Sequence, residues 1–453
     1  MPGRAIVWLR DDLRIADNPA LSAGAEHDEV IVVVVLDEVS DGVRPLGGAS
    51  KWWLHHSLAR LAESLERLGV SLTLRRGSAL EVIPALARDT GASAVYWNRR
   101  YGAAREVDAA IKTQLGVADV TATSFQANVL FEPWTVLTAS GDPFRVFTPF
   151  WRACLAGKAP RDPLPAPQKL RGATGVPSER LEDWALLPTK PDWAGGMREK
   201  WSPGEARGRE ILDGFVENNL ENYHRRDAPG LEVASGLSPY IRWGEVSPFQ
   251  IWQRTHGRIS QGARKNVDKF LSEVGWREFN YNILFHHPQL HEVNFRRDFD
   301  GFPWHDPDEH STELEAWKRG RTGIPLVDAG MRELWTTGYM HNRVRLVTSS
   351  FLIKNLLIDW RIGERWFWDT LVDADDANNA ANWQWIAGSG ADAAPYFRVF
   401  NPVLQQEKFD PDFEYVRKWV PEFGTDAYPA PIVDLKQSRR EALEAYEVVK
   451  NAS

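Results

Sequence analysis

The first 128 residues constrain the fold more than any other part of the chain. Four short aliphatic runs, Ile6–Leu9, Val30–Leu36, Leu72–Leu74 and Val95–Asn98, are predicted strands. The stretches between them include helical periodicity at Trp52–Leu68 and Ala103–Leu115. Strands that alternate with helices do not pair as hairpins. Each connection crosses over the sheet, so the strands run parallel and the helices cover its faces. The prediction is a doubly wound parallel α/β domain over residues 1–130. Its first strand runs directly into Arg10-Asp11-Asp12-Leu13-Arg14 rather than a glycine-rich phosphate loop, so a nicotinamide-dinucleotide fingerprint is missing where it would be needed. A GxGxxA match at Gly388, Gly390 and Ala393 follows a Trp-rich helical stretch instead of a strand, and is accidental.

The texture then changes twice. Prolines at 160, 163, 165, 167, 188 and 191 mark an irregular connector, assigned to 131–206. Beyond Arg207 strand patterns vanish and helical ones take over at Ile211–Leu220, Val267–Phe285, Thr312–Arg319, Val327–Thr336, His341–Leu357 and Trp366–Leu371. The fold class is therefore α/β plus all-α: a parallel-sheet domain, a long linker and an all-helical domain over 207–453. No aliphatic run approaches the length of a membrane span, and Met1-Pro2-Gly3-Arg4 opens straight into the first strand without a signal peptide. A soluble, cytoplasmic monomer is expected. One cysteine, Cys154, excludes an internal disulfide and cannot supply the ligands of an iron-sulfur cluster.

A net charge of −8 argues against wholesale attraction to nucleic acid, because nonspecific affinity comes from Lys and Arg displacing phosphate counterions. Any DNA contact must be local. Arg343, Arg345, Arg361 and Arg365, followed by Arg398, Lys408, Arg417 and Lys418, form a candidate DNA-facing patch, set against the plainer reading of solvated helix faces.

The chemistry concentrates between Asp373 and Pro402, DADDANNAANWQWIAGSGADAAPYFRVFNP, with no metal-ligating or nucleophile constellation. Asp373, Asp375, Asn378, Asn379 and Asn382 offer hydrogen-bond donors and acceptors around a heteroaromatic ring, and Trp383 and Trp385 offer π surfaces. Two readings are open on these residues alone: a flavin pocket, or an Asp/Asn helix cap beside ordinary core tryptophans, the second being the plainer.

The segment and several separated blocks resemble the photolyase/cryptochrome flavoprotein family, and are closest in motif to bacterial cyclobutane pyrimidine dimer photolyases. The blocks are Val7-Trp8-Leu9-Arg10-Asp11-Asp12-Leu13-Arg14 with Asp17-Asn18, Phe147-Thr148-Pro149-Phe150-Trp151, Leu237-Ser238-Pro239, Trp276-Arg277-Glu278-Phe279, and a nearly unbroken run from Thr322-Gly323 to Trp419. The resemblance implies bound FAD, held by Tyr223, Ser235, Leu237, Ser238, Arg277, Arg345, Asp373, Asp375 and Asn379. Asn379 is implied to stand beside flavin N5, where a carboxamide hydrogen-bonds without adding the negative charge of the aspartate that plant-type cryptochromes typically carry. Ala234 stands where the family usually has threonine.

The resemblance further implies an electron relay through Trp383, Trp360 and Trp304, although in a chain with 21 tryptophans each alone reads as core. Glu273, Trp276, Asn342, Leu346 and Trp385 are the implied lesion-binding residues, Glu273 and Trp276 sharing a helix face by their spacing. Asn342 and Leu346 occupy positions that are histidine in six-four photolyases. Leu346 also departs from the methionine of cyclobutane dimer photolyases. The implied function is light-dependent repair of cyclobutane pyrimidine dimers in DNA by electron transfer from photoexcited reduced FAD, with Glu273, Asn342, Asn379 and the three tryptophans as its working residues. The rival is a cryptochrome-type photoreceptor signalling through a protein partner. Asn379, Glu273, Trp276 and the absence of a long tail after Tyr446 favour the enzyme, and Leu346 speaks for the rival. An antenna chromophore, folate or deazaflavin, is expected near Arg10, Asp37, Lys51 and Arg105.

Overall fold

The computed structural model describes residues 3–256, 264–393 and 397–452, so positions 394–396 of the Asp373–Pro402 segment lie outside the described residues, as do Met1 and Pro2. Five parallel strands, β1 (Arg4–Leu9), β2 (Glu29–Leu36), β3 (Leu72–Arg76), β4 (Ala94–Asn98) and β5 (Thr121–Phe125), form one sheet in the order β3-β2-β1-β4-β5. Side chains alternate across it. Val7, Val32 and Val34 meet Trp52 and Leu58 of the helix Gly48–Leu68, whereas Ile6, Trp8 and Val33 pack with Ile83 and Ile111 of the helices Ala79–Thr90 and Arg105–Val117. Burial on both faces is what makes β1 and β2 read as continuous apolar runs. The fifth strand escapes that signal. Its sequence, TATSF, is a half-exposed edge rich in Thr and Ser, and the apolar criterion has nothing to detect there.

The order reverses between β1 and β4, and at their carboxyl ends the crevice is filled by the chain's own charges. Arg10 lies 4.1 Å over the Trp8 ring and donates to Asn98 O at 2.5 Å, and Arg10 and Arg100 both reach Asp108. Asn98 in turn donates to Asp12 at 2.6 Å and to Asn18 at 2.9 Å.

The connector is not only a spacer. It bridges Val30 to Gly172, receives the Leu74 N–H on Ser178 Oγ at 2.9 Å and returns Glu179 N–H to Leu74 O at 3.0 Å, which covers the outer edge of β3. It is also less irregular than its prolines predict: helices Phe147–Ala156 and Gly195–Lys200 lie within it, in stretches free of proline or with proline only in the first turn.

The helical half contains Arg264–His286, Pro325–Thr337, Asn342–Ser350, Trp360–Thr370 and Asn378–Ala387, with Trp317, Trp360 and Trp383 fully buried in its core. The helix predicted to run to Leu357 stops at Ser350 and continues as a π turn, Phe351–Asn355. Apolar recurrence shows that these residues are buried but does not separate a four-residue turn from a five-residue one. The two halves are joined by named contacts: Arg14 Nη1 to Gly244 O at 2.8 Å and Arg242 Nη1 to Asp11 at 2.6 Å. Gly244 has φ +63°, and a Cβ there would fall 2.1 Å from Asp11 O, so only glycine fits the seam. Among the described residues no helix is long and apolar enough to cross a membrane.

Candidate functional site

A cavity of about 600 Å³ opens in the helical half. Its walls are the helices Arg264–His286, Asn342–Ser350 and Asn378–Ala387, the turn 234–238, and the loop that carries Asp373 and Asp375. Tyr223, Ser235, Leu237, Ser238, Arg277, Arg345, Asp373 and Asp375 line it, and so do Glu273, Trp276, Asn342, Leu346 and Trp385. Asn379, Trp304, Trp360 and Trp383 do not.

Asp373 is the polar centre of one end. Its Oδ2 accepts from Arg345 Nη2 at 2.8 Å and from Ser238 Oγ at 2.6 Å, while Oδ1 is buried and has no partner among the described residues. Burial opposes the charge of Arg345, but the adjacent Asp373 outweighs it and holds the guanidinium above its ordinary pKa. The Ser238 hydroxyl therefore serves Asp373, and the short helix Ser238–Arg242 begins without a side-chain cap. A buried, paired carboxylate with one acceptor left over beside a void asks for a donor from a ligand. The hydroxyls and ring N–H groups of a flavin dinucleotide are such donors, and the residues present fit it.

Asp375 answers to the plainer of the two readings. Its Oδ1 accepts the N–H groups of Ala377 and Asn378 at 2.9 and 2.6 Å, capping the helix Asn378–Ala387, and its Oδ2 holds Asn378 Nδ2 at 2.8 Å. Asn379, 8 % exposed, turns its Nδ2 away to Glu364, donating to the backbone O at 3.0 Å and to Oε1 at 2.8 Å.

On the other wall Glu273 is clasped by Lys269 Nζ at 2.9 Å and Arg226 Nη2 at 3.4 Å. Trp276 stacks on Phe147 with ring centroids 4.0 Å apart and planes 10° from parallel. Trp385 donates Nε1–H to Asp392 O at 3.1 Å. Asn342 opens its helix behind His341, whose Nδ1 accepts the Arg343 N–H at 3.2 Å. The proton thus sits on Nε2, which donates to Arg226 O at 2.8 Å. Burial lowers the pKa of His341 and keeps it neutral in this role. Arg226, Tyr339 and Arg398 also line the cavity and are absent from the predicted set. Arg398 enters the sequence reading only as part of the candidate DNA-facing patch, and nothing in the sequence around Arg226 or Tyr339 marks them as cavity residues.

Residues 5–168 match the DNA photolyase family, and residues 270–426 match the FAD binding domain of DNA photolyase. A deoxyribodipyrimidine photo-lyase of Agrobacterium fabrum is 48% identical over 99% of this chain and 98% of its own length. Cryptochrome-2 of Arabidopsis thaliana is 36% identical over 97% of this chain and 75% of its own. A crystal structure of a bacterial class III photolyase from Agrobacterium tumefaciens superposes with a TM-score of 0.94 at 46% identity, covering 100% of this chain and 98% of that one. The chain belongs to the DNA photolyase family.

Of the three tryptophans expected to form a relay, two are buried and one is half-buried. Trp383 is 2 % exposed, Trp360 is fully buried and Trp304 is half-buried. Trp360 donates Nε1–H to Asn294 Oδ1 at 2.9 Å. Trp383 lies over Gly363, where a Cβ would fall 2.2 Å from its ring, and its ring neighbours are Phe367 at 4.9 Å and Trp317 at 6.4 Å. Trp304 packs on Phe302 at 4.2 Å, at the border of the core cluster that holds the other two. The expected arginine patch is partly used up. Arg343 pairs with Asp227 at 3.1 Å, Arg345 with Asp373 and Arg361 with Asp359 at 2.9 Å, so these three bring less net charge to a phosphate than their spacing implies.

Proposed function

We propose that this chain is a deoxyribodipyrimidine photo-lyase, an FAD enzyme that repairs cyclobutane pyrimidine dimers in DNA when illuminated. The observation that carries the reading is that one cavity brings together the Asp373–Arg345–Ser238 cluster, with its unpartnered acceptor, and the Glu273, Trp276, Asn342 and Trp385 wall. One electron, lent to the dimer in light and recovered once the ring has opened, is the chemistry that bound reduced FAD supplies.

The chain's own residues bind and orient. Asp373 and Arg345 grip the flavin end, and Ser235, Leu237, Ser238, Arg277 and Tyr223 complete the cradle, with Asp375 fixing the helix that carries Asn379. Asn379 presents its carboxamide to the flavin ring. Trp276 and Trp385 give aromatic walls to a flipped dimer, which is already weakly paired and costs only about a few kcal/mol to extrude. Asn342 and Glu273 face its polar edges, and Leu346 adds apolar contact. Trp383, Trp360 and Trp304 relay the electron that restores the reduced coenzyme. Domain limits of 1–130, 131–206 and 207–453 belong to the same proposal, supported by the end of the sheet at Phe125 and the start of continuous helices at Glu205. A folate or deazaflavin antenna is included with its identity open, and an absorption spectrum of gently purified protein identifies it. The protein acts in the cytoplasm as a monomer.

The test is incubation of the flavin-loaded protein with an oligonucleotide containing a thymine dimer, in light and in darkness. Native thymines reappear only in light. Leu346, in place of the family's methionine, is the one residue that favours a cryptochrome-type photoreceptor, and bound flavin without thymine recovery would decide for that reading.

A further inference from the structure

We propose that Arg44, acting through Glu364, is a positioning residue that fixes which end of the Asn379 carboxamide faces the flavin. The inference rests on the flavin reading above and adds to it a residue from the sheet half. Arg44 lies in the loop between β2 and the helix Gly48–Leu68, and its fork meets Glu364 in two parallel bonds, Nη1 to Oε1 at 2.7 Å and Nη2 to Oε2 at 2.8 Å. Its guanidinium lies 3.9 Å over the Trp368 ring, and Trp368 Nε1 donates to Pro45 O at 2.9 Å, so the loop is seated on the helix Trp360–Thr370. Glu364 is 1 % exposed.

Both hydrogens of Asn379 Nδ2 are spent on Glu364, one on its backbone oxygen and one on its carboxylate. Among the described residues no hydrogen bond reaches Asn379 Oδ1. A flipped amide would set Oδ1 against a carbonyl and a carboxylate, three acceptors with no donor, so the network admits one orientation. That holds only while the Glu364 carboxylate keeps its place. A carboxylate gripped in two parallel bonds cannot turn away from Asn379, whereas one without that grip is free to rotate. Arg44 supplies the grip. With the lock intact Asn379 offers an acceptor to the flavin ring nitrogen and favours its protonated form. With the lock broken the donor end is free to face it.

The test loads the full chain with FAD, reduces it stepwise in the dark and follows the flavin absorption spectrum against pH. Arg44→Ala and Glu364→Gln are each expected to lower the pH midpoint of the protonation-linked spectral change by about one unit, tenfold in proton affinity. Arg44→Lys keeps the charge without the fork and shifts it less. The double variant shifts no further than the larger single change, because one lock is broken once. A midpoint unmoved in Arg44→Ala, or single effects that add, overturns the role. If Arg44→Ala does not retain FAD, Arg44→Lys decides, a smaller shift in the Glu364→Gln direction supporting the role and no shift overturning it. Wild-type protein that binds no FAD sinks the flavin reading itself, whereas wild-type protein with normal flavin and indifferent variants sinks only Arg44.

Discussion

The sheet half and the helical half bury charge to different ends. Doubly wound sheets commonly bind ligands where the strand order reverses, at the carboxyl ends of the strands. Here that crevice is filled by Arg10, Arg100, Asn98 and Asp108, and only about 40 Å³ remains beside Arg100 and Asp11 at the seam with the helices. In the helical half Asp373 is as buried as Asp108 and Arg345 is partly buried, but the pair borders about 600 Å³ of space and leaves one carboxylate oxygen unused. Topology nominates a crevice. The side chains decide whether it is scaffold or site, and the deciding features are remaining volume and an acceptor without a donor.

Four experiments probe the difference between scaffold and site. The largest effect is expected from Asp373→Ala, which strips Arg345 and Ser238 of their partner. FAD affinity falls about a hundredfold or more, roughly 3 kcal/mol, read as flavin lost from the purified protein. Retained FAD would place the ligand-binding charge elsewhere. Asp108→Asn should do the converse, removing the shared carboxylate of Arg10 and Arg100 and costing about 3 kcal/mol of folding stability in urea, while FAD absorbance stays unchanged.

Glu245, fully buried with Trp53 Nε1 at 3.3 Å, tests the cost of a buried charge that has no counter-ion among the described residues: burial pushes its pKa up to about 8. An unfolded glutamate ionises near pH 4, so the folded state binds the extra proton between these values, and stability falls as pH rises from about 4.5 to 8. Glu245→Gln should leave the melting temperature unchanged at pH 5 and raise it at pH 9, by about 2 kcal/mol of stability. Equal effects at both pH values would refute the burial account. The smallest effect is expected from Glu273→Gln, which keeps shape and loses the pairing with Lys269 and Arg226. Affinity for dimer-containing DNA drops by about 1 kcal/mol in a gel-shift titration, with FAD content unchanged.

The parallel sheet and the helical half were legible in the sequence because both rest on periodicity, and residues buried on two faces leave a continuous apolar trace. β5 was not, because an edge strand of Thr and Ser carries no such trace. That Glu273 and Trp276 share one wall was legible from their spacing on one helix. The motif could not show Phe147 beneath Trp276, which arrives from the connector. Asp375 shows the opposite limit: it lines the same cavity but spends both carboxylate oxygens on the start of a helix, while Asp373, two positions earlier, keeps one oxygen without a partner among the described residues.

The order of hydrophobic and polar positions along this chain determined by itself a parallel α/β layer followed by helices, because local periodicity follows from backbone geometry. It also gathered Asp373, Asp375, Asn378 and Asn379 in one short segment, while the other candidate cofactor residues lie scattered from Tyr223 to Arg345. Only the tertiary structure decided which carboxylate keeps a free acceptor, which arginines are already neutralised and that Arg44 stands behind Glu364. The last pair spans 320 positions, and even for partners closer in the chain the pair energy is set by the distance and burial that folding creates.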